Sequence, residues 1–190
     1  ATVSYCTGTS LGPAAIMQAS SAMELYDELL KEQITERGIL TRGVVTAKVP
    51  VEQAVSQIKR AVARELEAAR LPVLLGGEHT VSLGALQAMV DQYGTGFTVC
   101  VLDAHLDLRN QYQGHAITHA SVMRRAMDLG MRVKHLGARS LSAKEARFLE
   151  EQNIEPMWAR RVYQDPNWLE DYLADIDGPV YISLDVDGLD

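Results

Sequence analysis

The chain has 190 residues, of which 47% are hydrophobic, a composition typical of one soluble domain with a buried core. Its 18 Lys and Arg against 25 Asp and Glu give a net charge of −7, which argues against nucleic acid as a partner. No apolar run is long enough to cross a bilayer, and residues 1–5 lack the pattern of a signal peptide, so the sequence indicates neither membrane insertion nor export.

The two cysteines indicate a reducing environment. Cys6 and Cys100 lie far apart in the sequence, and Cys100 falls within the apolar run of residues 97–102. Such a residue is expected to be a buried thiol rather than half of a disulfide. We therefore predict a cytoplasmic protein.

Apolar runs and helical patterns alternate along the chain, which predicts a parallel sheet covered by helices. The first helix is expected to open at Gly12 and Pro13, because proline suits the first turn of a helix. The next is expected within residues 51–71, where apolar residues recur at helical spacing. Further helices are predicted at residues 80–92, 120–129, 143–152 and 167–174, and strands at residues 73–75, 97–102, 132–136 and 180–184.

No internal repeat and no linker rich in Gly, Ser or Pro divides the chain. The alternation therefore predicts a single domain over residues 1–190, an α/β fold with three αβα layers and a mainly parallel central sheet. Residues 38–48 fit either a strand or an irregular segment.

The sharpest chemical pattern is the alternation of Asp103, His105 and Asp107 directly after a predicted apolar strand. Alternate side chains of an extended backbone share one face, so these three ligand-type residues can converge, unless the turn after the strand directs the third elsewhere. Alternating carboxylate and imidazole groups after a buried strand serve no packing purpose. The pattern therefore predicts metal ligands.

Two further clusters follow predicted strands. Asp185 and Asp187 alternate after residues 180–184, and His79 follows residues 73–75. Taken alone, the aspartates fit a solvated turn and His79 fits a loop histidine. Because the carboxyl ends of parallel strands meet at one edge of a sheet, however, all three clusters are expected to lie together.

Crowding of four carboxylates and two imidazoles at one sheet edge requires cations, since repulsion and desolvation would otherwise be severely destabilising. Four aspartates balance the charge of two divalent ions. The mixture of oxygen and nitrogen ligands favours Mn²⁺ over zinc, which more often recruits thiolates or additional histidines.

The three clusters resemble the metal-binding signatures of the ureohydrolase family, which includes arginase and agmatinase. They read Gly-Gly-Glu-His-Thr at 76–80, Asp-Ala-His-Leu-Asp at 103–107 and Ser-Leu-Asp-Val-Asp-Gly-Leu-Asp at 183–190. Residues 8–16 resemble the family's early loop and helix, and residues 118–121 resemble its active-site histidine loop. The resemblance implies an arginase-like fold that is truncated here at both ends. We expect part of the family's first strand to precede Ala1, and the family's chain continues past Asp190 to a glutamate that grips the guanidinium.

The resemblance also implies a ligand set for two manganese ions. One ion would be held by His79, Asp103, Asp107 and Asp185, and the other by Asp103, His105, Asp185 and Asp187. Asp103 and Asp185 would bridge them. Glu78 stands where the family usually has Asp, a change that we do not expect to abolish binding.

The implied reaction is hydrolysis of a guanidino group to urea and an amine, with the two metals activating water. Asp107 would orient the attacking oxygen by accepting its hydrogen bond. His119, with an ordinary pKa near 6.5, is the expected proton shuttle to the departing amine. His119 also fits a solvent-facing loop histidine, and His115 is near enough to compete for the role, whereas His135 sits in a strand pattern and is expected to be structural.

The loop of residues 108–115 resembles agmatinases, whereas arginases have an Asn-Thr-Pro stretch there and this chain has Arg109 at the Asn position. The expected substrate is therefore agmatine, hydrolysed to putrescine and urea as in polyamine biosynthesis. Guanidinobutyrate and arginine stay open as alternatives, since Arg109 could meet a carboxylate. The family resemblance further implies a homo-oligomer.

Two other classes compete with this interpretation. A two-metal phosphoesterase can also open its site with Asp-x-His, but its Gly-Asn-His and later His-x-His motifs are missing from the sequence. Alternatively, the chain is an inactive fragment that binds metal without turnover.

Overall fold

Helices and strands alternate over most of the chain in the computed structural model, which describes residues 8–43 and 49–189. The helices are α1 (Gly12–Ser20), α2 (Val51–Glu67), α3 (Val81–Tyr93), α4 (Val122–Asp128), α5 (Ala143–Gln152), α6 (Ala159–Gln164) and α7 (Trp168–Leu173). The strands are β1 (Tyr26–Asp27), β2 (Glu32–Gln33), β3 (Thr98–Leu102), β4 (Arg132–Ala138), β5 (Met157–Trp158) and β6 (Val180–Leu184). Short 3₁₀ turns cover Thr9–Leu11, Ile34–Arg37, His119–Ser121 and Val186–Gly188.

Four of the strands form one sheet in the order β5-β4-β3-β6, and every neighbouring pair is parallel. In the centre, Val99 and Val101 of β3 are fully buried, as expected of a strand that other strands and helices enclose. The predicted parallel sheet and its strands at residues 97–102, 132–136 and 180–184 are confirmed.

The alternation of side chains along β3 separates two apolar layers. Val99 and Val101 pack in a core with Leu86 of α3, Met123 of α4 and Leu149 of α5. Cys100 points to the opposite face of the sheet, where it packs with residues of β5, α6 and α7. The predicted three layers are confirmed, as is the buried thiol of Cys100; Cys6 lies outside the described residues.

Helices α2 and α3 pack closely because α3 has a glycine where they meet. A Cβ atom on Gly84 would lie 2.6 Å from the carbonyl oxygen of Val55 and 2.7 Å from Cβ of Ile58. On α2, Val55, Ile58 and Val62 recur at helical spacing and are buried against this neighbour. In the described ranges, no helix is long and apolar enough to cross a membrane.

The strand predicted at residues 73–75 is wrong. These residues have no regular secondary structure, and Val73 is 79% exposed. A short aliphatic run forms a strand only if another strand pairs with it, and no described strand does so here. The helix expected within residues 51–71 ends at Glu67; residues 38–43 are irregular, and residues 44–48 lie outside the described residues.

Candidate metal centre

Strand register places two of the predicted ligands at the same level of the sheet. Leu102 pairs with Leu184, so Asp103 and Asp185 each follow directly at the carboxyl edge. The amide of Asp185 donates to the carbonyl of Leu102 at 2.9 Å, which extends the ladder by one residue. Gly188 then packs on this backbone so tightly that a Cβ atom there would lie 2.9 Å from the Asp103 nitrogen.

The first ligand group consists of His79, Asp103 and Asp107, whose ligand atoms lie within 4.8 Å of one another. Nδ1 of His79 is 2.8 Å from Oδ2 of Asp107 and 3.1 Å from Oδ2 of Asp103. All three residues are buried. Opposite Nδ1, the ring nitrogen Nε2 shares a hydrogen bond of 2.7 Å with the Ser183 hydroxyl, which fixes the imidazole plane.

The second ligand group consists of Asp103, His105 and Asp187 and is more open. Nδ1 of His105 is 3.1 Å from Oδ2 of Asp187 and 3.6 Å from Oδ1 of Asp103. The side chains of His105 and Asp187 are 52% and 48% exposed. Asp103 thus presents Oδ2 to the first group and Oδ1 to the second, so it belongs to both groups.

Asp185 stands apart from both groups as they occur among the described residues. Its Oδ2 is 3.9 Å from Nδ1 of His79, and its Oδ1 accepts a hydrogen bond of 3.3 Å from the amide of Asp187. The structure therefore brings five of the six predicted ligands into two groups that share Asp103. The bridging role implied for Asp185 stays a prediction.

The electrostatics of the first group fit a bound cation. Burial lowers the pKa of His79, but the two neighbouring carboxylates raise it by more, to about 10. Burial raises the pKa of Asp107. Although two carboxylate oxygens face it, Nδ1 of His79 forms no properly aligned hydrogen bond to any atom of the described residues. Convergence of these atoms on one point without hydrogen bonding is typical of ligands, and their oxygen and nitrogen chemistry suits Mn²⁺.

His135 supports the loop that carries three of the ligands. It lies in β4, is 3% exposed, and its Nε2 donates to the carbonyl oxygen of Leu106 at 2.8 Å. Burial lowers its pKa to about 4, so the ring is neutral at neutral pH. His135 therefore has the structural role that we expected of it. It fixes the peptide group of Leu106, which lies between His105 and Asp107.

His119 is held by an acidic side chain, that of the residue directly before His79 in the sequence. Oε1 of Glu78 accepts hydrogen bonds of 3.1 Å from both the backbone amide and Nδ1 of His119. The same oxygen accepts a bond of 2.7 Å from the Thr80 hydroxyl. The ring of Tyr112 meets the imidazole edge to face at 5.4 Å between centroids. His115, by contrast, is exposed and pairs through its backbone with Tyr112.

The model of the arginase family matches residues 1–190 of this chain. The chain belongs to the arginase family. It is 34% identical over 197 residues to N(1)-aminopropylagmatine ureohydrolase of Synechocystis sp., covering 100% of this chain and 64% of the relative. It is also 34% identical over 191 residues to agmatinase of Pyrococcus horikoshii, covering 100% of this chain and 65% of the relative.

Solved structures of arginase-family proteins have the same fold. The agmatine ureohydrolase of Thermoplasma volcanium superposes with a TM-score of 0.89 at 28% identity, covering 100% of this chain and 64% of that one. The expected arginase-like fold is thereby confirmed. The chain spans about two-thirds of the length of these relatives, 64% and 65% in the two sequences above.

Sequence reasoning missed two partners of the predicted residues in this arginase-family chain. Ser183, which bonds His79, was detectable, because it alternates with Asp185 along a strand and so shares its face. Glu78 was noted only as a departure from the family pattern. Its contact with His119 joins residues 41 positions apart, and no local pattern predicts such a pairing.

Proposed function

We propose that this protein is a ureohydrolase that splits a guanidino group into urea and an amine at a centre of two manganese ions. The observation that carries the proposal is the position of Asp103, whose two oxygens face two separate ligand groups. Relatives named agmatinase and N(1)-aminopropylagmatine ureohydrolase support the same reaction class. When bound, two such cations activate water as a nucleophile.

The side chains around the centre supply orientation and proton transfer. His79 and Asp107 would hold one ion, His105 and Asp187 the other, and Asp103 both. Asp107 also accepts a hydrogen bond from the attacking water and so directs it at the guanidino carbon.

His119 is the proposed proton carrier to the departing amine. Because the Glu78 carboxylate only accepts hydrogen bonds, Nδ1 of His119 carries a hydrogen. Nε2 is then the nitrogen that takes up and releases the proton. The side chain of His119 is 27% exposed, which permits exchange with solvent.

Agmatine is the preferred substrate in this proposal, because the contacts of Arg109 disfavour guanidino acids. Nε of Arg109 lies 3.6 Å from Oε2 of buried Glu145, and its guanidinium lies 4.9 Å from the ring centroid of Tyr112. These contacts compete with any role in anchoring a substrate carboxylate. N(1)-aminopropylagmatine, which also lacks a carboxylate, is the second candidate, favoured by the names of three relatives.

Urea release tests the proposal. With Mn²⁺, the purified protein is expected to hydrolyse agmatine or N(1)-aminopropylagmatine faster than arginine and guanidinobutyrate. Asp103→Asn removes a ligand from both groups. Loss of a residue that only supports a ligand typically costs at most about 100-fold in activity, so Asp103→Asn should lower activity by more than that.

Three outcomes would contradict the proposal. Hydrolysis of p-nitrophenyl phosphate without urea release would indicate a phosphoesterase, and no urea from any guanidino compound would indicate an inactive metal-binding scaffold. Hydrolysis of arginine with none of agmatine would overturn the substrate assignment. A homo-oligomeric state and a cytoplasmic location stay predictions, for which light scattering and cell fractionation are the measurements.

A further inference from the structure

The peptide group that joins Asp107 to Leu108 is held at both ends. Its carbonyl oxygen accepts hydrogen bonds of 3.1 Å each from the amides of Met123 and Arg124, in the first turn of α4. Its N–H donates to Oε1 of Glu145 at 3.1 Å. Both bonding directions of one peptide plane are therefore fixed by distant parts of the chain.

The orientation of this plane determines where the Asp107 carboxylate lies. Asp107 adopts a left-handed backbone conformation with φ of 52°, which is uncommon outside glycine although aspartate tolerates it better than most residues. In an extended conformation, the residue would continue the alternation of the strand. The left-handed turn instead places Oδ2 at 2.8 Å from Nδ1 of His79.

Glu145 is itself fixed by a second, local motif. At the start of α5 it forms a capping box with Ser142, whose amide and hydroxyl donate to Oε2 at 2.8 Å and 2.7 Å. This motif uses only one carboxylate oxygen. The other oxygen is directed to Leu108, and Glu145 as a whole is 4% exposed.

We propose that Glu145 is a positioning residue for the metal centre, acting through the Leu108 amide to hold Asp107 in its ligating orientation. The inference rests on the proposed function, since it requires that Asp107 binds a metal ion. Residues that support ligands in this way typically contribute about 10- to 100-fold to metal affinity.

Comparison of Glu145→Ala with Ser142→Ala tests the inference. Both substitutions weaken the capping box, but only Glu145→Ala removes the acceptor for Leu108. We expect Glu145→Ala to raise the Kd for Mn²⁺ by about 10-fold, while Ser142→Ala keeps the Kd of the unsubstituted protein. Free Mn²⁺ measured by electron paramagnetic resonance gives the Kd, and thermal unfolding in EDTA gives the stability of each metal-free protein.

A purely structural role would lower the unfolding temperature of both variants and leave both Kd values unchanged, which would overturn the inference. Should Glu145→Ala fail to fold, Glu145→Gln keeps one acceptor oxygen and is expected to show a smaller rise in Kd, still above that of Ser142→Ala. Failure of the unsubstituted protein to bind Mn²⁺ would overturn the proposed function as well. Normal binding by the Glu145 variants would overturn only the positioning role.

Discussion

The two ligand groups meet at Asp103 but differ in their access to water. His79 and Asp107 are 8% and 7% exposed. His105 and Asp187 have side chains that are about half exposed, at 52% and 48%. One half of the site is built into the core, whereas the other half faces the solvent.

This difference separates the energetic roles of the two groups. In the buried group, the charged side chains interact with one another instead of with water. Loss of one partner therefore leaves the remaining charges uncompensated. In the exposed group, water replaces a lost partner at little cost. The buried group is therefore expected to couple metal binding to the stability of the fold, and the exposed group is expected to affect metal binding alone.

The test with the largest expected effect replaces one histidine of each group and compares the losses in free energy of unfolding. In EDTA, His79→Ala is expected to lower the free energy of unfolding by about 3 kcal/mol or more, because it leaves two buried carboxylates without their partner. His105→Ala is expected to cost less than about 1 kcal/mol, as an exposed ion pair does. Denaturation by urea, monitored by circular dichroism, measures both values. Equal losses would mean that burial does not distinguish the two groups.

A second test uses the pH dependence of the buried half. Burial holds the pKa of His135 at about 4, against an ordinary value of 6.5 in the unfolded chain. Between these values the unfolded state binds more protons, so the stabilising effect of the neutral ring is complete above pH 6.5 and is lost as the pH falls toward 4. The full difference amounts to about 3 kcal/mol.

The matched control is His135→Gln, whose amide can still donate to Leu106 but does not titrate. Measured in EDTA at several pH values, the unsubstituted protein should lose more free energy of unfolding than this variant as the pH falls from 6.5. If the free energy of unfolding had the same pH dependence in the two proteins, His135 would be protonated in the folded state as readily as in the unfolded chain, which would contradict the prediction.

The sequence predicted the strand ends of the site well and its loops poorly. The apolar run before Asp103 correctly predicted that Asp103 follows a buried strand at the edge of the sheet, because burial acts locally. Period-two patterning does not explain the position of Asp107, which leaves the alternation through its left-handed backbone. The position of His79 was predicted from a strand that does not exist. His79 reaches the site from the start of α3 instead, so the expected convergence is found through a different local structure.

Long-range support of the ligands could not be predicted, since it depends on pairs that no local pattern joins. Glu145 carries a clear sequence signal for a capping box with Ser142, three residues earlier, but that signal says nothing of Leu108, 37 residues away. The sequence does not predict the left-handed backbone of Asp107 either, because aspartate is compatible with several backbone conformations.

The smallest expected effect concerns Glu78, which adjoins the buried group in sequence but bonds His119 at its edge. If Glu78 acts through His119, Glu78→Ala should lower kcat by about 10-fold, or about 1.4 kcal/mol, with little change in KM or in the Kd for Mn²⁺. Glu78→Gln keeps an acceptor oxygen for the backbone amide and for Nδ1 of His119, so this variant should retain most of the activity. A rise in the Mn²⁺ Kd at constant kcat would instead show that Glu78 supports its neighbour His79, and would assign it to the buried half of the site.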